Sequence, residues 1–285
     1  MVTSSPVGSG SRRRVLHLSD THLTASGLDE DGVDARSSLR QLLHDARYLL
    51  DLDVIVVSGD IADDGSTAGY EDAKAQLGAF AGARRIPYVF CTGNHDDRDN
   101  FAAVLGSGHR GADGSDQGTL MSPIGCRAAV SDVGGLRVIT LDSLLPGAVH
   151  GSVSDDQLDW FRTVLAVPAA AGTIVVLHHP PISLRDHPIH TVVLHNPDQL
   201  AEALAGTDVH AVLCGHLHHQ MSGMLGKIPV CHSRRCDQDR PHQPTAVGSR
   251  RPWRQRHRRR PRRRATHLPA ATRPRPSRRQ TGVPL

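Results

Sequence analysis

Val54-Ile55-Val56-Val57-Ser58-Gly59-Asp60-Ile61-Ala62-Asp63 decides how this chain is read. Four β-branched residues in a row, without alternation, are what a strand covered on both faces requires. Such strands belong to parallel sheets flanked by helices. The run then stops at a glycine and delivers two aspartates just beyond its carboxyl end. In open α/β sheets, ligands collect at that end.

The same grammar recurs on either side. Val15-Leu16-His17-Leu18-Ser19 leads into Asp20-Thr21-His22, and Tyr88-Val89-Phe90-Cys91 leads into Gly93-Asn94-His95-Asp96. Further strands are expected at Leu136–Leu141, Ile174–Leu177 and Val209–Leu213. The last two run into His178-His179-Pro180 and Gly215-His216-Leu217-His218. Between the strands, Leu39–Leu50 spaces its apolar residues helically, and a second helix is expected over 68–83. Asp155–Leu165 reads as a helix with Ser154 as its N-cap. Pro197–Leu204 reads as another, with proline in its first turn and Gly206 beyond its end. The Gly-rich stretch 106–119 reads as a surface loop. Strand and helix alternate, so the class is α/β. No internal repeat is visible.

Taken singly, each of the five segments has a plainer reading. Asp20-Thr21-His22 is a turn with a capping aspartate, Gly59-Asp60 a cap, and Gly93-Asn94 a turn. The histidine pairs 178–179 and 216–218 are solvated loops. Together, in order and all at strand ends, they describe a two-metal centre acting on a phosphate ester. A phosphodiester repels nucleophiles and has a poor leaving group. Two cations about 3.5–4 Å apart answer both problems, provided that one carboxylate bridges them and oxygen and imidazole ligands surround them. His17, His44 and His210 lie inside expected elements and read as structural. His187, His190 and His195 follow the prolines and could border a substrate.

Composition divides the chain in two. Its 285 residues carry a net charge of +4 and are enough for one large domain or two small ones. Residues 231–285 hold 17 Arg and two Asp, or +15; the 16 basic and 27 acidic residues left in 1–230 give −11. An acidic body suits cation binding and argues against general nucleic-acid binding. After Val230 periodicity stops and Arg and Pro dominate. Three readings of that tail stay open: a basic arm for nucleic acid or anionic lipid, a disordered neutral extension, or the product of a frameshift in a GC-rich gene. The 31 Arg against two Lys fit the GC-rich premise. The expected division is a flexible leader over 1–14, a catalytic domain over 15–230, and a basic, disordered tail over 231–285.

Five cysteines without regular spacing suggest no disulfide framework; Cys91 and Cys214 sit in apolar runs and read as buried. The first residues lack the apolar stretch of a signal peptide, and no apolar run is long enough to span a bilayer. The expected setting is cytoplasmic.

The order D-x-H, G-D-x-x-D, G-N-H-D, H-H-P, G-H-x-H resembles the calcineurin-like metallophosphoesterase superfamily. Gly59-Asp60-Ile61-Ala62-Asp63-Asp64-Gly65 and His178-His179-Pro180-Pro181 are similar to its class III cyclic-nucleotide phosphodiesterase branch, over about Val15 to Val230. The resemblance implies an αββα sandwich. It implies one metal on Asp20, His22 and His218, a second on Asn94, His178 and His216, and Asp60 bridging them. His95 would be the non-ligand histidine that contacts the phosphate and protonates the leaving oxygen. Asp63 would orient a ligand, with His179 and Asp96 in support. Mixed carboxylate, amide and imidazole donors suit Fe, Mn or Zn.

The implied activity is hydrolysis of a phosphodiester, foremost a 3′,5′-cyclic nucleotide such as cAMP, by a hydroxide held between the cations. A glycerophosphodiester, phosphomonoester or nucleic acid is the alternative substrate. The other alternative is a metal-binding product impaired by its altered C-terminus. The expected partner is the small-molecule substrate, with no membrane insertion, nucleic acid only through the tail, and homodimerisation left open.

Overall fold

A computed structural model describes residues 12–29, 31–121, 125–182, 188–233, 235 and 236. These all fall in one unit of the chain, Met1–Pro241; the other, His242–Leu285, lies outside the described residues. So do most of the leader and of the Arg/Pro-rich tail.

The elements run β1 (Val15–Leu18), α1 (Ala35–Ala46), β2 (Val54–Ser58), α2 (Thr67–Gly82), β3 (Tyr88–Cys91), α3 (Arg98–Leu105), β4 (His109–Arg110) and β5 (Thr119–Leu120). They continue β6 (Ala129–Val133), β7 (Leu136–Thr140), α4 (Asp155–Leu165), β8 (Thr173–Val176), α5 (Pro197–Leu204), β9 (Val209–Cys214), β10 (Met221–Leu225) and β11 (Ile228–His232), with a 3-10 turn at Pro188–Thr191.

Two sheets result: a four-stranded one ordered β1-β2-β3-β4 and a seven-stranded one ordered β10-β11-β9-β8-β7-β6-β5. β1, β2 and β3 are parallel to one another, as are β7, β8, β9 and β11. Period-two alternation sorts each strand between layers. Val54 and Val56 join Val89, Val138, Val176 and Leu213 in the core between the sheets. Ile55 and Val57 point the other way and pack with Leu39, Leu43, Tyr70 and Leu77 of α1 and α2. Val175 and Val212 likewise meet Phe161 of α4 and Leu200 of α5. Helix, sheet, sheet and helix are thus stacked, the expected αββα sandwich.

Three expectations need correction. The first helix is Ala35–Ala46, not 39–50: the Asp34 carboxylate caps it by accepting the Ser37 N–H. Leu49 and Leu50, which lengthened the helical pattern, lie outside it and are 48% and 70% exposed. The 106–119 stretch is not all surface loop, since it holds β4, the first residue of β5 and the buried Ser107 and His109. The His109 ring sits between the hydroxyls of Ser131 (2.6 Å) and Thr140 (3.0 Å). His44 and His210 lie in α1 and β9 as expected, but both are exposed. No helix among the described residues is long and apolar enough to cross a membrane.

Candidate metal centre

All five segments leave the carboxyl ends of β1, β2, β3, β8 and β9. Backbone hydrogen bonds sew their loops together. The N–H groups of Asp20, His22 and Leu23 donate to the carbonyls of Gly59, Asp60 and Ile61, each at 3.0 Å. The Gly215 N–H reaches the His178 carbonyl at 3.0 Å, and the His216 N–H donates to the Asp20 carboxylate.

This stitching holds the backbone in unusual states. Among the described residues, seven non-glycines have positive φ, and five of them are Asp20, His22, Asp60, His216 and His218. Such conformations cost of order 1–3 kcal/mol each and persist only where surroundings over-determine them. The preceding glycines leave room for the crowding. A side chain on Gly59 would strike His178, one on Gly93 would strike Asp60, and one on Gly215 would strike Ser19 and Asp20.

Asp60 stands at the middle. Its Oδ1 accepts the His95 backbone N–H at 2.9 Å. Its Oδ2 lies 3.1 Å from Nε2 of His178 and 3.9 Å from Nε2 of His22. Asp20, fully buried, places Oδ1 3.4 Å from His218 and 3.9 Å from His22. His218 and His22 bring their Nε2 atoms within 3.2 Å of each other. Asn94 sets its Oδ1 3.2 Å from Nε2 of His178.

The tautomers follow from what the other ring nitrogens touch. Nδ1 of His178 is 2.8 Å from the Ser58 carbonyl, which can only accept, so Nδ1 donates there and Nε2 is the nitrogen turned to Asp60 and Asn94, open to a cation once its own proton is displaced. Nδ1 of His22 likewise donates to the Asp63 carboxylate at 2.7 Å. Carboxylate oxygens and ring nitrogens therefore converge from both sides on Asp60, more acceptors than there are protons to share among them. Buried acceptors in that state demand positive charge. Hard or borderline cations fit this oxygen and imidazole set, and no cysteine takes part.

The electrostatics agree. Burial disfavours ionised Asp20, yet a hydrogen bond from His218 and the field of His178 outweigh it and bring its pKa to about 2. Asp60 is also held well below the usual carboxylate range, its burial overcome chiefly by His178 and His95. His178 is pushed up to about 9: burial opposes this, and the charge of Asp60 wins. His216, buried and beside His178, drops to about 3, with one ring nitrogen bonded to the Val192 carbonyl.

His95 stands apart from the converging donors. Its Nδ1 is 3.0 Å from Oδ1 of Asp63 and 3.1 Å from the Asp63 carbonyl. Against partial burial, Asp60 and Asp63 raise its pKa to about 10. Asp96 braces two loops, its carboxylate accepting the N–H groups of Ile61, Ala62 and Gly93.

His179 is near the cluster but is saturated. Nε2–H donates to the Val149 carbonyl at 3.1 Å, which leaves Nδ1 to accept the Ser143 hydroxyl at 2.8 Å. It keeps no lone pair for a cation and packs its ring on His216 instead, with centroids 4.6 Å apart. The supports at Ser58, Ser143 and Val149 escaped the sequence reading. Two act through backbone carbonyls, which leave no residue signature, and the third is an ordinary serine.

The chain matches the model of the calcineurin-like phosphoesterase family over residues 13–220, and it belongs to that family. Its relatives are narrower in name. It is 41% identical over 221 residues to a Rhodococcus erythropolis protein named "Probable cyclic nucleotide phosphodiesterase", covering 76% of this chain and 68% of that one. It is 39% identical to a "cAMP/cGMP dual specificity phosphodiesterase" of Mycobacterium tuberculosis, covering 76% and 65%. To a "3',5'-cyclic adenosine monophosphate phosphodiesterase" of Pseudomonas aeruginosa it is 31% identical, covering 75% and 72%. The matched stretch thus spans about two thirds of these relatives' lengths. Among solved structures, the purple acid phosphatase PPD1 of yellow lupin seeds matches with a TM-score of 0.47 at 16% identity, over 77% of this chain and 43% of that one.

Proposed function

We propose that this chain is a dimetal phosphodiesterase whose substrate is a 3′,5′-cyclic nucleotide, cAMP foremost. The observation that carries the proposal is the position of Asp60 Oδ2 between His178 on one side and His22 on the other. Asp20, His22 and His218 would hold one cation, and Asn94, His178 and His216 the other, with Asp60 shared. Such a pair, when bound, neutralises the phosphate and makes hydroxide available near neutral pH. Mn, Fe and Zn all suit the donors.

The chain's own residues supply the rest. The His95 backbone N–H fixes Asp60 in its shared orientation. The His95 ring, its Nδ1–H engaged by Asp63, keeps Nε2 for the substrate and gives its proton to the departing ribose oxygen. Asp63 positions His95 and His22 together. The names of the relatives support the cyclic-nucleotide assignment. The free, buried Cys91 and Cys214 support a reducing, cytoplasmic setting. We also retain the division into a leader, a catalytic domain and a basic tail, with the boundary moved from 230 to beyond β11, which runs to His232 and is followed by the buried Arg235 and Cys236.

The test is turnover by the purified full chain after loading with Mn. Release of 5′-AMP from cAMP, and of p-nitrophenol from bis-p-nitrophenyl phosphate, is expected. Failure on both would sink the catalytic reading; activity on the second alone would reject the cyclic nucleotide.

A further inference from the structure

A slot of about 260 Å³ lies beside the histidine loops, between Pro180-Ile182 and the β10–β11 hairpin. Its walls are Pro180, Ile182, Met221, Gly223 and Val230, with His232 lining it as well. Pro180 directly follows His178-His179. Met221 is three residues after His218, within roughly 10 Å along even an extended chain.

His232 ties the slot to the centre. Its Nε2 accepts the N–H of Leu217, between His216 and His218, at 3.2 Å, and its Nδ1–H donates to the His219 carbonyl. Both nitrogens are spent, so His232 offers a ligand no free polar atom. What remains is mostly apolar wall and thioether, with the Ser222 hydroxyl as the one other polar group of the lining, and this favours the flat face of an aromatic ring. Met224, 59% exposed, lies at the same opening. Gly223 keeps the slot open: a Cβ there would point at Ile182, 3.4 Å from its Cγ2.

We propose that this slot is the subsite for the nucleobase of the substrate, and that Gly223, Met221 and Ile182 determine preference for a base-bearing phosphodiester. The proposal rests on the cyclic-nucleotide reading for its ligand. A heterocycle seated there keeps its polar edge at the open rim, in water, while its face covers the apolar wall. Glycerol or another small polyol would find only the Ser222 hydroxyl to bond and would leave the apolar wall uncovered. The slot thus discriminates on the part of the substrate remote from phosphorus.

The test separates the slot from catalysis by reading binding alone. Calorimetry on the Mn-loaded full chain compares 5′-AMP with ribose 5-phosphate, which lacks the base. AMP is expected to bind at least tenfold more tightly. In G223V, whose branched side chain fills the slot from a strand position that favours valine, that ratio should fall toward one. I182S, on the opposite wall, should lower it too and serves if G223V does not fold, as judged by circular dichroism. Equal affinities in the parent protein, or a ratio untouched by the variants, overturn the proposal. A ratio that responds as expected in a protein that hydrolyses no diester would keep the slot and reject the catalytic reading instead.

Discussion

Oδ1 of Asp63 lies 3.0 Å from Nδ1 of His95, and the same oxygen takes the ring N–H of His22 at 2.7 Å. One carboxylate oxygen thus orients a candidate metal ligand and the candidate acid. Replacing it disturbs both, although Asp63 would touch neither cation nor substrate. For D63N we expect kcat to fall about 10–100-fold, as for other groups that orient ligands. The charge of Asp63 helps to hold His95 protonated. An acid works below its pKa, so the alkaline limb of the rate profile should move to lower pH in D63N. A profile of unchanged shape at full rate would refute the assignment.

Metal binding should release protons. Without a cation, His178 titrates at about 9, so at pH 7.5 it carries a proton that a metal must displace. Apparent affinity should therefore rise with pH up to about that value. Calorimetric titration with Mn in buffers of different ionisation heat should report about one proton or more released per chain. Heats independent of buffer would contradict it.

G93A should damage the centre without removing any donor. The added methyl would meet the Asp60 carboxylate and backbone. Overpacking of this kind costs typically 1–3 kcal/mol, and here the atom displaced is the proposed shared ligand. We expect a lower melting temperature and metal affinity reduced about tenfold or more, read by metal analysis after dialysis. Full occupancy after dialysis would show that Asp60 can shift freely.

The buried His109 makes a separate prediction for acid stability. Burial lowers its pKa to about 4 from an ordinary 6.5. Its contribution is complete above pH 6.5, where both states are neutral, and is lost as pH falls to 4 while only the unfolded chain takes up a proton. The loss is roughly 3 kcal/mol over that window. Chemical denaturation at stepped pH should show the slope, and H109N should flatten it. An unchanged slope in H109N would assign it elsewhere.

Much of this arrangement is legible in the sequence because buried parallel strands are continuous β-branched runs. β2 and β8 announce themselves in that way, β3 and β9 as short, mostly apolar runs, and the ends of all four carry the metal-grade residues. α4 and α5 match their expected bounds because Ser154, Pro197 and Gly206 punctuate them. Other elements were hidden. α3 has eight residues and follows directly on the third segment, its start marked only by the capping Asp97. β10 contains Gly223, and β11 contains Pro229, two residues that argue against strands. Proline is tolerated there because the pairing of β11 with β9 begins only at Val230. The donors were readable from their types; their tautomers were not, since these depend on carbonyls such as that of Ser58.

The centre draws its donors from both layers of the sandwich. Asp20, His22, Asp60 and Asn94 follow strands of the four-stranded sheet, and His178, His216 and His218 follow strands of the seven-stranded one. Cations seated among them would rivet the layers at one rim, where the apolar packing between Val56 and Val176 gives way to polar loops. Stripping them should let the layers shear at that rim while each keeps its ladders. Amide exchange should then quicken first in residues 20–23 and 215–218, and last in β2 and β8.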